Sequence, residues 1–315
     1  MISNANIKIS FIIAAYNEER YIEECVRSCF LQSHRNVEVC VTDDGSTDNT
    51  WAKLKALSLE FQELKISKFS QNRGKVAAFN KSVEMATGAY IAIMGADDVC
   101  CPSRIESCLL EIGDCDMIFT NLSRFGPEGV LEKNVMKGLG FKRDKFVAFD
   151  YLLVHPVVFG GTLLATRRII DQIFPLDPRL AHEDWWIPLC AAYQSPIKFG
   201  DFISIFYRQH DLQTSGNNVN ASKNIEVWRR LISRDIFFYE EVLKKFDLTK
   251  SQEIFILRKL VASRVVTVDR FWARFSWAAK KMPPAKWGFR AGLAVFSPTM
   301  LFFVSKFRRW FHFRT

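Results

Sequence analysis

The chain has 315 residues, 49% of them hydrophobic, with 43 Lys and Arg against 34 Asp and Glu. That is enough apolar content for one large domain or a domain plus an appendage, and it excludes a disordered chain, a collagen-like chain and a repeat array. The positive surplus is local: residues 251–315 hold 13 Lys and Arg against 2 Asp and Glu, and the first 250 residues hold 30 against 32.

The first hundred residues read as successive strand–helix units. Ile7 to Ala15 is a nearly continuous apolar run, as expected of a strand covered on both faces. Asn17 is placed to cap the next helix, with Glu18 and Glu19 in its positive first turn. Tyr21, Ile22, Cys25, Val26, Cys29 and Phe30 follow at helical spacing. A second strand, Val37 to Val41, runs into Thr42-Asp43-Asp44-Gly45-Ser46-Thr47-Asp48, and a helix through Trp51, Leu54 and Leu57 comes next. Leu64 to Phe69 is a third strand. Val76, Phe79, Asn80 and Val83 lie on a helix stopped near Gly88, and Tyr90 to Met94 is a fourth strand ending at Gly95-Ala96-Asp97-Asp98. This alternation predicts an α/β fold with a mostly parallel sheet flanked by helices and right-handed crossovers.

In such sheets ligands bind at the carboxyl ends of the strands. Tyr16-Asn17, Asp43-Asp44 and Asp97-Asp98 all fall there, which brings three distant segments to one crevice. The first βα turn, Ala14-Ala15-Tyr16-Asn17, has no glycine, so a dinucleotide-binding fingerprint and a P-loop are both excluded. Carboxylates line the crevice instead. They would repel a diphosphate unless a divalent cation lay between, and oxygen ligands favour Mg²⁺ or Mn²⁺ over zinc. Taken singly, Asp43-Asp44-Gly45 reads equally as a turn and Asp97-Asp98 as a helix cap. Together at the sheet ends they favour a shared metal–nucleotide site.

These segments resemble glycosyltransferase family 2, whose catalytic domain has the GT-A fold. The likeness covers roughly residues 7–215. It runs through Ile12-Ile13-Ala14-Ala15-Tyr16-Asn17-Glu18, Val41 to Thr50, Asn72-Arg73-Gly74-Lys75 to Asn80, Gly88-Ala89-Tyr90-Ile91, Asp97-Asp98 and Pro102-Ser103-Arg104. The resemblance implies a nucleotide site built from Ala14, Tyr16, Asn17, Asp43 and Asp44, with Tyr16 and Asp44 on the base. It puts Arg73 or Lys75 near the base or phosphates, Asp97 towards ribose or sugar, and Asp98 on the metal. Members often read Asp-x-Asp-Asp where this chain has Gly95-Ala96-Asp97-Asp98, so the first carboxylate contact is lost.

Downstream, Phe159-Gly160-Gly161-Thr162 resembles the family's small-residue stretch beneath the acceptor, which makes Gly161 an acceptor-site residue. His182-Glu183-Asp184-Trp185-Trp186 resembles its Glu-Asp motif, which makes Asp184 the base, with Glu183 the competing carboxylate. Trp185 and Trp186 offer either aromatic faces to an acceptor sugar or core packing. Tyr207-Arg208-Gln209-His210 resembles a Tyr-Arg-x-His element that closes over the donor, with His210 either a donor or metal contact or a loop hydrogen-bonder. The family's processive members carry Gln-x-x-Arg-Trp; Val227-Trp228-Arg229-Arg230 lacks that order, so one sugar per encounter is expected. The implied activity is inverting transfer from a nucleotide-diphosphate sugar to a hydroxyl of a glycan or lipid-linked acceptor, of bacterial surface-polysaccharide type. The competing readings are a nucleotide-sugar-binding protein without catalysis and a sugar nucleotidyltransferase.

The expected organisation is a GT-A catalytic domain over 1–216, with a nucleotide-binding half (1–99) and an acceptor half (100–216), followed by a helical region over 217–315. Ile225 to Phe246 and Ser251 to Lys281 read as helices, broken at Pro283-Pro284. The last 65 residues add 14 Phe and Trp to their basic surplus. The 15-residue apolar run between Arg290 and Lys306 is interrupted by Pro298 and is shorter than the roughly 20 residues a spanning helix needs. Basic residues interleaved with aromatics suit an anionic membrane surface, with a helical cap on the catalytic domain as the alternative. No nucleic-acid motif is present. Eight cysteines without a Cys-x-x-Cys pair, and no signal peptide before the first strand, point to a reducing cytoplasm and a peripheral place on the inner face of the membrane.

Overall fold

The computed structural model describes residues 6–139, 146–180, 182–210 and 225–267. The chain divides into two compact units, Met1–Gly216 and Asn217–Thr315.

In the first unit β1 (Ile9–Ala15), β2 (Val37–Asp43), β3 (Leu64–Lys68) and β4 (Tyr90–Gly95) are parallel and adjacent in the order β3-β2-β1-β4. Their apolar runs are buried because α1 (Ile22–Phe30), α2 (Thr50–Glu60) and α3 (Lys75–Met85) cover the faces. α1 begins later than the expected cap at Asn17. Asn17 has φ 58°, its N–H donates to Ser46 Oγ at 2.9 Å, and its carboxamide oxygen accepts from the Thr47 N–H at 2.9 Å. The N–H groups of Glu18 and Glu19 likewise go to Thr50 Oγ1 (2.8 Å) and Asp48 Oδ2 (3.0 Å), so Glu23 and Glu24 take the acidic first turn. Short polar side chains outcompeted the helix for this backbone.

Beyond β4 the sheet is mixed. After β5 (Val99–Cys100) and α4 (Arg104–Glu111) come β6 (Met117–Gly126), β7 (Gly129–Glu132), the short helix α5 (Val135–Gly138), β8 (Phe146–Val147) and α6 (Phe149–Val154). A single 3₁₀ turn, Gly160–Thr162, precedes β9 (Leu164–Thr166), α7 (Arg167–Ile173), α8 (Glu183–Gln194) and β10 (Ile197–Arg208). β9 runs antiparallel between β4 and β6, β6 and β10 are parallel, and β5 closes this end antiparallel to β10. Arg104 ties the junction from inside. It is fully buried, and one guanidinium nitrogen donates to Ile93 O on β4 (3.0 Å) and to Leu163 O (2.9 Å) just after the 3₁₀ turn.

At the sheet edge remote from the strands' carboxyl ends, Glu38 is fully buried. It accepts from Ser10 Oγ (2.6 Å) and the Thr87 N–H (2.5 Å) and pairs with Lys8 (2.9 Å) and Lys65 (2.8 Å). In the second unit α9 (Ile225–Lys245) and α10 (Lys250–Thr267) pack on each other, with Phe238, Val242, Ile256 and Leu260 buried. Within the described residues no helix is long and apolar enough to cross a membrane. The basic, aromatic stretch after Thr267, including the expected continuation of the last helix to Lys281, lies outside the described residues.

Candidate active site

The register places Ala14 of β1 opposite Thr42 of β2 and Gly95 of β4, so the turn after β1 sits between the two acidic strand ends. Tyr16 stands there with 42% of its surface open, an aromatic face available to a ligand. Asp43 is fully buried. One oxygen accepts from the Ser46 N–H at 2.8 Å and the other faces Lys68 Nζ at 3.5 Å. Asp44 is buried too, and its two oxygens take the N–H groups of Arg73 (2.7 Å) and Gly74 (2.9 Å). Any nucleobase contact by Asp44 therefore shares oxygens that already hold the loop before α3. Gly45 makes that seating feasible: it has φ 75°, and a Cβ there would lie 2.6 Å from the Gln71 carbonyl carbon. Burial raises the Asp44 carboxyl above its ordinary range in spite of those two donors. Arg73 lies on the Phe69 ring at 4.7 Å.

Asp97 and Asp98 follow β4 and cap no helix, since α4 starts only at Arg104 with Ser103 as its N-cap. Asp98 is 2% exposed and accepts the Arg208 N–H at 2.9 Å. The Arg208 side chain donates from Nε to Asp97 O (2.8 Å), pairs with Glu24 (2.5 Å), and stacks against Tyr21 (4.6 Å) and Phe125 (4.5 Å). His210 Nε2 is 3.2 Å from Asp97 Oδ2, and its ring lies 4.8 Å from Tyr21. The element resembling Tyr-Arg-x-His thus reaches both aspartates. Gly95 also acquires a reason. A Cβ there would lie 2.6 Å from Asp98 Oδ2, so the Asp98 carboxylate fills the space that a first acidic side chain would need.

Burial, and then the neighbouring Asp97, hold the Asp98 carboxyl well above the usual carboxylate range. Burial and then Asp97 also push Glu18 up to about 8. Crowded carboxylates of this kind favour a bound cation. Among the described residues no group of three or more His, Cys, Asp and Glu could hold a metal ion. Mg²⁺-type sites need no such cage, because one or two carboxylates with substrate phosphates and water complete the shell. Asp98, with Asp97 next to it in the chain, is a carboxylate pair of that kind.

The carboxylates of Glu183 and Asp184 come next to this cluster through a single turn. A Cβ on Gly161 would sit 3.6 Å from Asp98 Oδ2, and a Cβ on Gly160 would sit 3.2 Å from Asp184 Cβ. Asp98 and Asp184 therefore flank one Gly-Gly step, although 85 residues separate them in sequence. Glu183 opens α8, nearly buried, with Oε1 2.5 Å from Lys75 Nζ and, among the described residues, no hydrogen bond to Oε2. Asp184 is the next residue. Burial first and the Glu183 charge second raise it to about 6, opposed by Lys75 and His182. Lys75 thus pairs with Glu183, although the resemblance would put it near the base or phosphates.

Trp185 donates from its indole N–H to Leu152 O at 2.6 Å. Trp186, in the first turn of α8, is only 6% exposed, so of the two readings offered for it core packing is the one its burial fits. Two residues without an expected role of their own also shape the site. Arg208 could be noticed only as part of its motif. Asn80, which clasps the segment before α8, could be noticed only as the last residue of the Asn72 to Asn80 run.

Residues 10–174 match the family model described as glycosyl transferase family 2. An uncharacterised glycosyltransferase of Nostoc is 26% identical over 228 residues, covering 70% of this chain and 70% of the relative. The chondroitin synthase of Pasteurella multocida is 34% identical over 140 residues, 44% of this chain and 14% of that much longer protein. Among solved structures, S. aureus TarS residues 1–349 superpose with a TM-score of 0.61 at 18% identity, covering 92% of this chain and 80% of TarS 1–349. The mannosyltransferase PcManGT of Pyrobaculum calidifontis, solved with GDP-Man and Mn²⁺, gives 0.59 at 16% identity over 94% and 83%. With the mixed α/β sheet and its strand-end acids, these matches establish that the chain belongs to glycosyltransferase family 2 and is a glycosyltransferase of GT-A fold.

Proposed function

We propose that the chain moves one sugar per encounter from a nucleoside-diphosphate sugar to an acceptor hydroxyl, with inversion and with Mn²⁺ or Mg²⁺ on the diphosphate. The observation that carries this reading is the Gly160-Gly161 step, which has the strand-end carboxylate Asp98 on one side and Asp184 on the other. Donor and base machinery then lie on the two sides of one Gly-Gly step. TarS has been solved with UDP-GlcNAc and PcManGT with GDP-Man and Mn²⁺; a donor of that class suits the exposed Tyr16, the Arg73 loop and the acidic strand ends here.

In this reading Tyr16, Asn17, Asp43, Asp44 and Arg73 form the base and ribose pocket around Ala14. Asp98, with Asp97 next to it, would hold the diphosphate's cation, which would neutralise the leaving group's charge, and His210 on Asp97 would close over the donor. Asp184 takes the acceptor hydroxyl's proton as that oxygen bonds to the anomeric carbon, and the bond to the diphosphate breaks with its electron pair leaving on the diphosphate. Gly161 and Trp185 flank the acceptor. Glu183 is held by Lys75 and serves Asp184 without itself taking the proton. A lipid-linked glycan at the inner face of the membrane is the acceptor we favour, because the chain ends in a segment both basic and aromatic.

Calorimetric titration of UDP and of GDP, first with EDTA and then with Mn²⁺, tests the donor half of this mechanism. Tighter binding of one nucleotide with Mn²⁺ is expected, and Asp98→Asn should abolish the difference. Equal affinities with and without metal would remove the metal role of Asp98.

A further inference from the structure

α3 contacts both sides of the site. Its leading loop is held by Asp44 through the Arg73 and Gly74 N–H groups. Ser82 fixes its far end to the sheet, bonding Ile13 O at 3.0 Å and Thr42 Oγ1 at 2.9 Å. On its other side it makes two separate contacts with the path to the base. Lys75 Nζ meets Glu183 Oε1 at 2.5 Å. Asn80 donates from Nδ2 to Leu176 O at 2.8 Å and accepts the Leu176 N–H on Oδ1 at 2.9 Å. Both halves of the amide are engaged, as in one rung of a β-ladder, across 96 residues of sequence. Leu176 lies in the irregular segment between α7 and α8, a stretch with no helix or strand among its described residues to fix its course. α3 therefore grips this segment at Leu176 and again at the first residue of α8.

We propose that Asn80 is a positioning residue for the acceptor-side base, setting with Lys75 the placement of the first turn of α8 and hence of Asp184. The inference rests on Asp184 being the base. Asn80 touches no substrate in this scheme; it acts through Leu176 and the chain that follows. A base must sit within hydrogen-bonding reach of the hydroxyl it deprotonates, and a shift of about 1 Å can lower the rate by about 100-fold. A side-chain amide bonded twice to one backbone residue removes that freedom where no ladder or helix does so.

The test uses the full chain with Mn²⁺ and follows hydrolysis of UDP-GlcNAc or GDP-mannose, whichever the wild type turns over, with water as acceptor. Asn80→Leu keeps the size and removes both bonds. Turnover should fall about 10- to 100-fold, with Mn²⁺-supported UDP or GDP affinity within about threefold of wild type. Asn80→Asp keeps the bond from the Leu176 N–H and should fall between; it carries the test alone if the leucine variant does not fold. The discriminating measurement is made in an Asp184→Asn background, where a residue acting through Asp184 has nothing left to place, so Asn80→Leu should add little further loss. An undiminished fold-loss in that background, or unchanged turnover in the single variant, would overturn the proposal. Wild-type turnover in Asp184→Asn alone would instead overturn the base assignment on which it rests.

Discussion

Asp184 carries its own pH signature. Burial and the adjacent Glu183 charge raise it to about 6, with Lys75 and His182 pulling the other way. A base works only when ionised, so turnover should rise with pH through about 6 and fall below it, whereas an unperturbed Asp would put that limb near about 4. Replacing Asp184 with Asn should cost about 10² to 10⁴-fold in turnover while leaving nucleotide affinity within a few-fold. A flat profile through that range, or an active Asp184→Asn beside a dead Glu183→Gln, would assign the proton to the wrong carboxylate. At this scale the sequence pointed to the acids at the strand ends but not to what each one touches. Asp43, Asp44, Asp97 and Asp98 were legible because strand ends and acidic pairs coincide. That Asp44 holds a loop through two backbone N–H groups, and that Asp98 fills the space above Gly95, depends on packing between segments far apart in sequence. Asn17 shows the same limit in reverse: it satisfied every local rule for a cap, yet the neighbouring loop claimed it.

Among the elements, the parallel strands and their covering helices were readable because continuous apolar runs and helical spacing survive translation into structure unchanged. β9 was not. Three residues carry no period, and its antiparallel place between β4 and β6 is decided by what lies on either side. The remote edge of the sheet shows how far its stability depends on one buried acid. Burial alone would raise the Glu38 carboxyl, but Lys65, Ser10, the Thr87 N–H and Lys8 together lower it to about 2. A depressed carboxylate stabilises the fold above its ordinary pKa, and that contribution drains away as the pH falls towards about 2. The displacement corresponds to roughly 3 kcal/mol at most, less solvent screening because Lys8 and Lys65 are about a third exposed. Glu38→Gln should therefore lower the urea midpoint at neutral pH, and its deficit against wild type should shrink steadily below about pH 4. A deficit independent of pH would mean that shape alone, and not the ionised carboxylate, holds this edge. Nucleotide affinity should not change, since the network lies at the opposite end of the strands from Tyr16 and Asp98.

The charge of the whole molecule is divided between its parts. The first 250 residues are nearly neutral, while residues 251–315 carry a surplus of 11 positive charges together with 14 Phe and Trp. Most of that surplus lies beyond α10, where basic and aromatic residues alternate. Basic side chains near an anionic bilayer contribute about 1 kcal/mol each, screened within a Debye length, and buried aromatics add an apolar term that salt does not weaken. The full chain should therefore sediment with phosphatidylglycerol-containing vesicles at low salt, bind them less at high salt, and bind purely zwitterionic vesicles weakly. A chain ending at Thr267 retains both the catalytic unit and the α9–α10 pair, so it should keep nucleotide binding and lose the vesicles. Retained sedimentation of the shortened chain would move the attachment surface into the described part of the molecule. Failure of both chains to sediment at low salt would leave the basic, aromatic end to pack against protein, and the lipid-linked acceptor would lose its main support.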